Sequence, residues 1–127
     1  MGGWLTAAGI SGFLAVALGA FGAHGLQARL ADAADGAKRL GWWQTSAQYH
    51  LLHALALGVV ALVAARAPLA RFAGGAFVLG TLLFSGSLYV MALGGPRWLG
   101  AVTPLGGLSL LAGWGLLAWC GVVLSRG

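Results

Sequence analysis

Hydrophobic residues form long runs along this chain, and four of these runs contain no Asp, Glu, Lys or Arg. They cover residues 1–28, 40–65, 72–96 and 98–125. Each is longer than the roughly 20 apolar residues with which a helix crosses the hydrocarbon layer of a bilayer. The pattern therefore predicts an all-α fold, a four-transmembrane-helix bundle, with spans at about 4–24, 42–65, 72–94 and 103–124.

The segment between the first two spans, residues 25–41, has a different pattern. Leucines recur on one side of it and charged residues occupy the rest. This pattern predicts a short amphipathic helix lying at the membrane interface. The only two acidic residues, Asp32 and Asp35, fall here, and pairing with nearby Lys and Arg side chains explains them better than catalysis does.

Turn signals separate the other spans. The short connection 66–71 forces the second and third spans into an antiparallel hairpin, and Pro68 is expected to start the third helix. The sequence Gly-Gly-Pro at 94–96 is expected to end that helix. Thr103 and Pro104 then predict the N-cap and first residue of the fourth helix.

Tryptophans near the span ends predict interfacial belts at both membrane surfaces. Trp4 and Trp119 are expected at the surface nearer the termini, and Trp42, Trp43 and Trp98 at the other.

Composition agrees with a membrane protein. The charged fraction is 7%, against about 25% in soluble domains, and the mean hydropathy is +0.91. A length of 127 residues leaves room for one membrane domain, 1–127, and no soluble domain. The net charge of +5 is spread over the span ends, which argues against nucleic acid as a partner. A signal peptide is a weaker explanation of the first span, because no Lys or Arg precedes its apolar run.

Polar residues inside the spans are the candidate functional residues, because polar groups within a bilayer need partners inside the protein. A hairpin closing near Pro68 would bring His53 level with Ser85 and His50 level with Ser87, as one polar pocket. The complete candidate set comprises His24, Gln48, Tyr49, His50, His53, Ser85, Ser87, Tyr89 and Thr103.

This polar set leaves several chemistries open. His24, His50 and His53 are weak candidates for metal ligands, and His24 with His50 for a bis-histidine haem. A quinone or lipid headgroup bonded by His, Tyr and Gln side chains is another alternative. The simplest alternative is an interhelical hydrogen-bond network, and no cofactor is predicted.

Four motifs resemble a known family. They are Gly-Ala-Phe-Gly-Ala-His-Gly-Leu at 19–26, Tyr-His-Leu-Leu-His-Ala-Leu-Ala-Leu at 49–57, Phe-Ser-Gly-Ser-Leu-Tyr at 84–89 and Thr-Pro-Leu-Gly-Gly at 103–107. In this order they resemble the YgdD-like family of small integral membrane proteins, catalogued as domain of unknown function 423. The resemblance implies four spans and a multi-pass location in the bacterial inner or plasma membrane, and it implies no reaction.

The functional prediction is a small, non-enzymatic integral membrane protein whose His/Tyr/Ser pocket binds a small ligand, a lipid or a partner helix. No Ser-His-Asp set, phosphate-binding loop or cysteine cluster indicates catalysis. The alternatives are a small-molecule or ion transporter and a haem, metal or quinone-binding redox component. The expected partners are the lipid bilayer and either further copies of this chain or a larger membrane complex.

Overall fold

Four long helices make up most of the molecule. In a computed structural model that describes residues 1–127, α1 spans Gly2–Leu30, α2 Gly36–Val63, α3 Ala70–Ala92 and α4 Thr103–Arg126. A short 3-10 helix, Arg97–Ala101, precedes α4, and the structure contains no strand. All four helices are long and apolar enough to cross a membrane, which confirms the predicted all-α, four-span fold.

The link between α1 and α2 differs from the prediction. No separate amphipathic helix occupies 25–41, because α1 continues through a π-helical turn, Gly22–Leu26, as far as Leu30, and α2 begins at Gly36. Leu26 and Leu30 are buried against Trp43 instead of facing lipid headgroups. The leucines that suggested an interfacial helix are therefore part of the bundle interior.

The two middle helices form the centre of the molecule. Helix α1 packs against α2, α2 against α3, and α3 against α4, while α1 and α4 have most of their surface exposed. The main core lies at the α2–α3–α4 contacts, where Val60, Phe77 and Cys120 are almost fully buried. The outer helices accordingly present broad apolar surfaces to lipid.

Glycines allow the helices to approach each other closely. A Cβ atom at Gly106 of α4 would collide with the backbone of Phe84 on α3. A Cβ at Gly74 of α3 would lie 2.6 Å from the indole ring of Trp4 on α1. Small residues at such contacts are typical of helix association in membranes.

Two of the helix ends differ in detail from the sequence signals. Helix α3 begins at Ala70, two residues after Pro68. Thr103 is the first residue of α4 and does not cap it through its side chain, whereas Pro104 does lie in the first turn as predicted.

The other end of α3 is as predicted. Gly94 has a φ of +96°, and its N–H donates to the carbonyl of Met91 at 3.0 Å. The N–H of Gly95 donates to the carbonyl of Val90 at 2.8 Å. This bonding pattern is a Schellman motif, which needs a residue that tolerates the left-handed conformation.

An ionic cluster joins the two connections at this end of the bundle. Asp35 accepts a hydrogen bond from Arg97 at 2.6 Å and lies 3.6 Å from Arg39. Arg39 also donates to the carbonyl of Ala92 at 2.9 Å, where the negative end of the α3 dipole is located. Local pairing of Asp35 is confirmed, and its contact with the distant Arg97 is an additional feature that the sequence did not indicate.

Candidate functional site

Two serines fix the position of α2 against α3. The Ser46 hydroxyl donates to the carbonyl of Ser85 at 2.7 Å, and the Ser85 hydroxyl donates to the carbonyl of Ser46 at 3.0 Å. Both side chains are buried, so neither is free to bind a ligand through its donor.

The serine pair corrects the predicted register, because Ser46 and not His53 lies opposite Ser85. The hairpin connection runs between Val63 and Ala70, so it is centred earlier in the chain than Pro68. The predicted pairing is therefore displaced by about two helical turns.

His50 lies on the same face of α2, one turn after Ser46, and bonds to α3. Its Nδ1 atom is 3.0 Å from the hydroxyl of Tyr89. Each side chain leans toward the N-terminus of its own helix, so in this antiparallel pair the two lean toward each other. The second ring nitrogen of His50, Nε2, has no protein partner and is not sealed from the adjacent groove.

A groove runs beside this polar centre, between α1, α2 and α3. Its cavity volume is about 420 Å³, within the range of small-molecule sites. Its rim includes Ile10, which is 59% exposed, and Leu82, which is 66% exposed, so the groove opens toward lipid. At the end of the groove nearer the termini, the indole of Trp4 on α1 packs against Gly74 of α3.

Trp43 marks the other end of the groove. It is only 3% exposed, its indole N–H donates to the carbonyl of Leu18 at 2.7 Å, and its ring lies 4.6 Å from that of Tyr89. The prediction that Trp43 belongs to an interfacial belt is wrong, because the bundle supplies an acceptor for its N–H.

Two further hydroxyls line the same groove. Ser11 of α1 and Thr81 of α3 are half-buried there, and neither takes part in the side-chain hydrogen bonds of the structure. His50 Nε2 and these hydroxyls thus form a set of three polar groups without protein partners. The remaining wall is largely apolar and contains no charged residue.

His53 occupies a different place from His50. Its Nδ1 atom is 2.7 Å from the carbonyl of Tyr49, which can only accept, so Nδ1 carries the proton. Its Nε2 atom accepts a hydrogen bond from the indole N–H of Trp114 at 3.0 Å. Both ring nitrogens are therefore used, and the imidazole is neutral with a defined tautomer.

His53, Tyr49 and Gln48 line a second groove, between α2 and α4, together with Trp114. This groove has a volume of about 640 Å³. Tyr49 is 41% exposed and its ring stacks on His53 at 6.1 Å. No side-chain hydrogen bond within the protein engages Gln48, which is exposed.

Ser87 and Thr103 form a third, separate pair that joins α3 to the start of α4. Their hydroxyl oxygens are 2.5 Å apart, and each also donates to a backbone carbonyl, Ser87 to Phe84 and Thr103 to Leu99. Each hydroxyl has only one proton. One of the two must therefore divide its proton between the backbone carbonyl and the other hydroxyl, in a bifurcated hydrogen bond. The pair links α3 to α4, and neither residue lines the groove beside His50.

His24 lies apart from the other histidines. It is exposed on the π-helical turn of α1. No group of three or more His, Cys, Asp or Glu side chains is arranged to hold a metal ion. The predicted residues thus fall into three hydrogen-bonded places instead of one pocket, with Gln48 beside His53 in the second groove and His24 alone.

Sequence reasoning left four important residues out of the candidate set: Ser11, Ser46, Thr81 and Trp114. Ser46 lies four residues before His50 and Thr81 four before Ser85, so helical spacing alone places both on the polar faces of their helices. Trp114 stands in an apolar span without polar neighbours at helical spacing, so its bond to His53 had no local signal.

Comparison with known proteins gives a consistent picture. A family model described as "Protein of unknown function (DUF423)" matches residues 18–107. "UPF0382 inner membrane protein YgdD" of Escherichia coli strain K12 is 46% identical over 121 residues, covering 94% of this chain and 88% of that protein. "UPF0382 membrane protein YwdK" of Bacillus subtilis strain 168 is 44% identical over 108 residues, covering 83% and 84%.

A third relative, a "UPF0382 membrane protein" of Haemophilus influenzae, is 43% identical over 117 residues, covering 91% of this chain and 90% of that protein. No solved structure matches the chain.

Proposed function

This chain belongs to the DUF423 family of proteins of unknown function, and from that premise we propose that it is a non-enzymatic membrane protein that binds a small lipid-soluble ligand in the groove beside His50. The resemblance to the YgdD-like family is confirmed, and so is the location: the chain is an integral protein of the bacterial inner or plasma membrane.

The observation that carries the proposal is the unsatisfied polar set of the groove. Within a bilayer, polar groups are normally bonded inside the protein. Every buried side-chain N and O atom in this structure has a partner, whereas His50 Nε2 and the hydroxyls of Ser11 and Thr81 face the groove without one. A ligand with a polar group would complete their hydrogen bonding.

The neighbours of His50 favour binding over catalysis. Its Nδ1 partner is the Tyr89 hydroxyl, and no carboxylate or cysteine lines the groove. A nucleophile positioned by a base and a third orienting group is therefore not assembled around this imidazole. The groove is mainly apolar and has a few hydrogen-bonding groups, which is the usual composition of a small-molecule site.

The test is to identify what the groove retains during purification. The wild-type protein and a Gly86→Leu variant would be purified in mild detergent, extracted with organic solvent and compared by mass spectrometry. Gly86 lines the groove, and a Cβ atom added there would meet no other atom within 4 Å, so a leucine at this position can extend into the cavity. The matched control is Gly115→Leu on α4. A Cβ atom added at Gly115 also meets no other atom within 4 Å, and Gly115 lines neither of the two grooves.

We expect a small molecule to accompany the wild type and the Gly115→Leu control in stoichiometric amount and to be missing from Gly86→Leu. The same extracted molecules in all three preparations would contradict the proposal.

A further inference from the structure

We infer that the ligand of this groove is an uncharged, lipid-soluble molecule with a carbonyl oxygen, of the substituted benzoquinone type, whose carbonyl accepts a hydrogen bond from Nε2–H of His50. The inference rests on the proposed function and adds the chemical class of the ligand. Three features carry it: the tautomer of His50, the absence of charge in the groove, and the distribution of apolar surface along it.

The tautomer of His50 makes Nε2 a donor. A phenol hydroxyl is a good donor, and an unprotonated imidazole nitrogen is a good acceptor. Among the side-chain hydrogen bonds of the structure, the Tyr89 hydroxyl takes part only in the one with His50 Nδ1, so we assign the 3.0 Å contact as an O–H to N bond, which places the imidazole proton on Nε2. The hydrogen bond at one ring nitrogen of a neutral histidine decides whether the other carries a proton. The nitrogen of His50 that faces the groove, Nε2, is therefore an N–H donor.

The other free groups agree with an accepting ligand. The hydroxyls of Ser11 and Thr81 can both donate, and the groove contains no carboxylate that would require a donor from the ligand. Thr81 belongs to α3 and Ser11 to α1, so donors are present on all three walls of the groove. A carbonyl oxygen, with two lone pairs, matches such a set.

The position of the groove requires a neutral ligand. At 1.5 Å per residue, His50 lies about 12 Å along α2 from Trp42 and about 20 Å from Val63, where the helix ends, which places it within the hydrocarbon layer. No Arg or Lys lines the groove to balance a phosphate or carboxylate. A charged headgroup drawn to this depth would lose its hydration without compensation.

The shape of the groove indicates an elongated molecule. Its α1 wall runs from Ala7 to Leu18, which corresponds to about 16 Å of helix. The polar residues His50, Ser85 and Tyr89 lie at the Trp43 end. The opposite end, toward Trp4, is lined by Ala7, Leu57 and Val78, and Ser11, one turn after Ala7, supplies the one hydroxyl there. The carbonyl head therefore sits beside His50, and an apolar tail extends toward the end of the bundle that carries the termini.

The experiment compares three probes that share a decyl tail. They are a decyl-substituted benzoquinone, decylbenzene without any polar group, and decyl phosphate with a charged head. Native mass spectrometry of the full chain released from detergent counts the bound probe at each concentration and gives a dissociation constant. The proteins are wild type, His50→Leu, Thr81→Val, Gly86→Leu and the Gly115→Leu control.

For the wild type we expect the benzoquinone to bind about tenfold more tightly than decylbenzene, as one net hydrogen bond contributes. This advantage should disappear in His50→Leu and shrink in Thr81→Val, while both variants retain decylbenzene. Thr81→Val preserves side-chain volume and keeps the test valid if His50→Leu does not fold. Gly86→Leu should lose both probes, and Gly115→Leu should bind like the wild type.

The outcomes separate the inference of a carbonyl ligand from the proposal that the groove binds a ligand. Equal affinity for benzoquinone and decylbenzene, an unchanged advantage in His50→Leu, or tightest binding of decyl phosphate would overturn the carbonyl inference. Groove binding itself would survive each of these results if Gly86→Leu still removed the probes. If Gly86→Leu bound every probe as the wild type does, the proposed function would fail as well.

Discussion

The two histidines of α2 differ in whether Nε2 of the imidazole has a hydrogen-bond partner within the protein. His53 gives Nδ1–H to the carbonyl of Tyr49 and accepts from Trp114 at Nε2, whereas His50 has one protein partner, Tyr89. They are three residues apart, yet both ring nitrogens of His53 are bonded within the protein, whereas Nε2 of His50 has no protein partner. The same residue type thus has a structural role at one position and a candidate binding role at the next turn.

The structural role of His53 can be measured with a double-mutant cycle. His53→Phe, Trp114→Phe and the double variant would be compared by reversible unfolding in mixed micelles. We expect a coupling energy of about 0.6 kcal/mol, the average for interhelical hydrogen bonds in membranes. The control Trp119→Phe removes an exposed indole that makes no side-chain hydrogen bond and should change little. Strictly additive effects of His53→Phe and Trp114→Phe would show that the bond contributes nothing.

At the level of helices, the contact between α3 and α4 depends on backbone proximity. Gly106 faces the main chain of Phe84 so closely that no Cβ fits there, whereas at the next residue, Gly107, the nearest atom to such a Cβ is a ring carbon of Phe84 at 3.9 Å. Backbone atoms cannot rotate away as a flexible side chain can. The two adjacent glycines therefore have different tolerance for a methyl group.

Substitution of these glycines tests the closeness of the helix pair. Gly106→Ala must push α4 away from α3 and should lower the free energy of unfolding by about 1–3 kcal/mol, the usual cost of overpacking. Gly107→Ala should be neutral, or stabilise the helix by up to about 1 kcal/mol through its higher helix propensity. Equal unfolding free energies for the two variants would contradict the close backbone contact between α3 and α4.

The helices were predictable from the sequence, but their relative register was not. Charge-free runs and the Gly-Gly-Pro at 94–96 gave the number of helices and the end of α3, because span length and the left-handed cap are local properties. The pairing of Ser46 with Ser85 depends on where the hairpin connection closes, and Pro68 marked that point incorrectly. A small error at the turn displaces every pair along the helices.

The candidate site was predictable only in part, for the same reason. His50, Ser85 and Tyr89 were expected to be close, and they do line one groove. His53 was expected with them, but at 100° per residue it lies about 60° around α2 from His50, and it bonds to Trp114 of α4. Which tryptophan is buried also depends on tertiary packing, since Trp42 and Trp43 are neighbours in sequence and only Trp43 finds an acceptor on α1.

For the whole molecule, the arrangement of helices determines what the membrane can reach. Helices α2 and α3 form the centre, and α1 and α4 flank them with largely lipid-facing surfaces. The charged residues lie near the bundle ends, where Asp35, Arg39 and Arg97 link two connections. The groove beside His50 lies between these ends with its side open to lipid, so a ligand would enter laterally from the bilayer.

The most direct test of the binding site is nuclear magnetic resonance of the full chain with ¹⁵N-labelled histidine in bicelles. Without ligand, the ring nitrogen shifts should identify a proton on Nδ1 of His53 and on Nε2 of His50. On addition of the decyl-substituted benzoquinone, the His50 ring resonances should move while those of His53 and His24 stay in place. Unchanged His50 resonances at saturating benzoquinone would contradict a hydrogen bond from His50 to the carbonyl of the ligand.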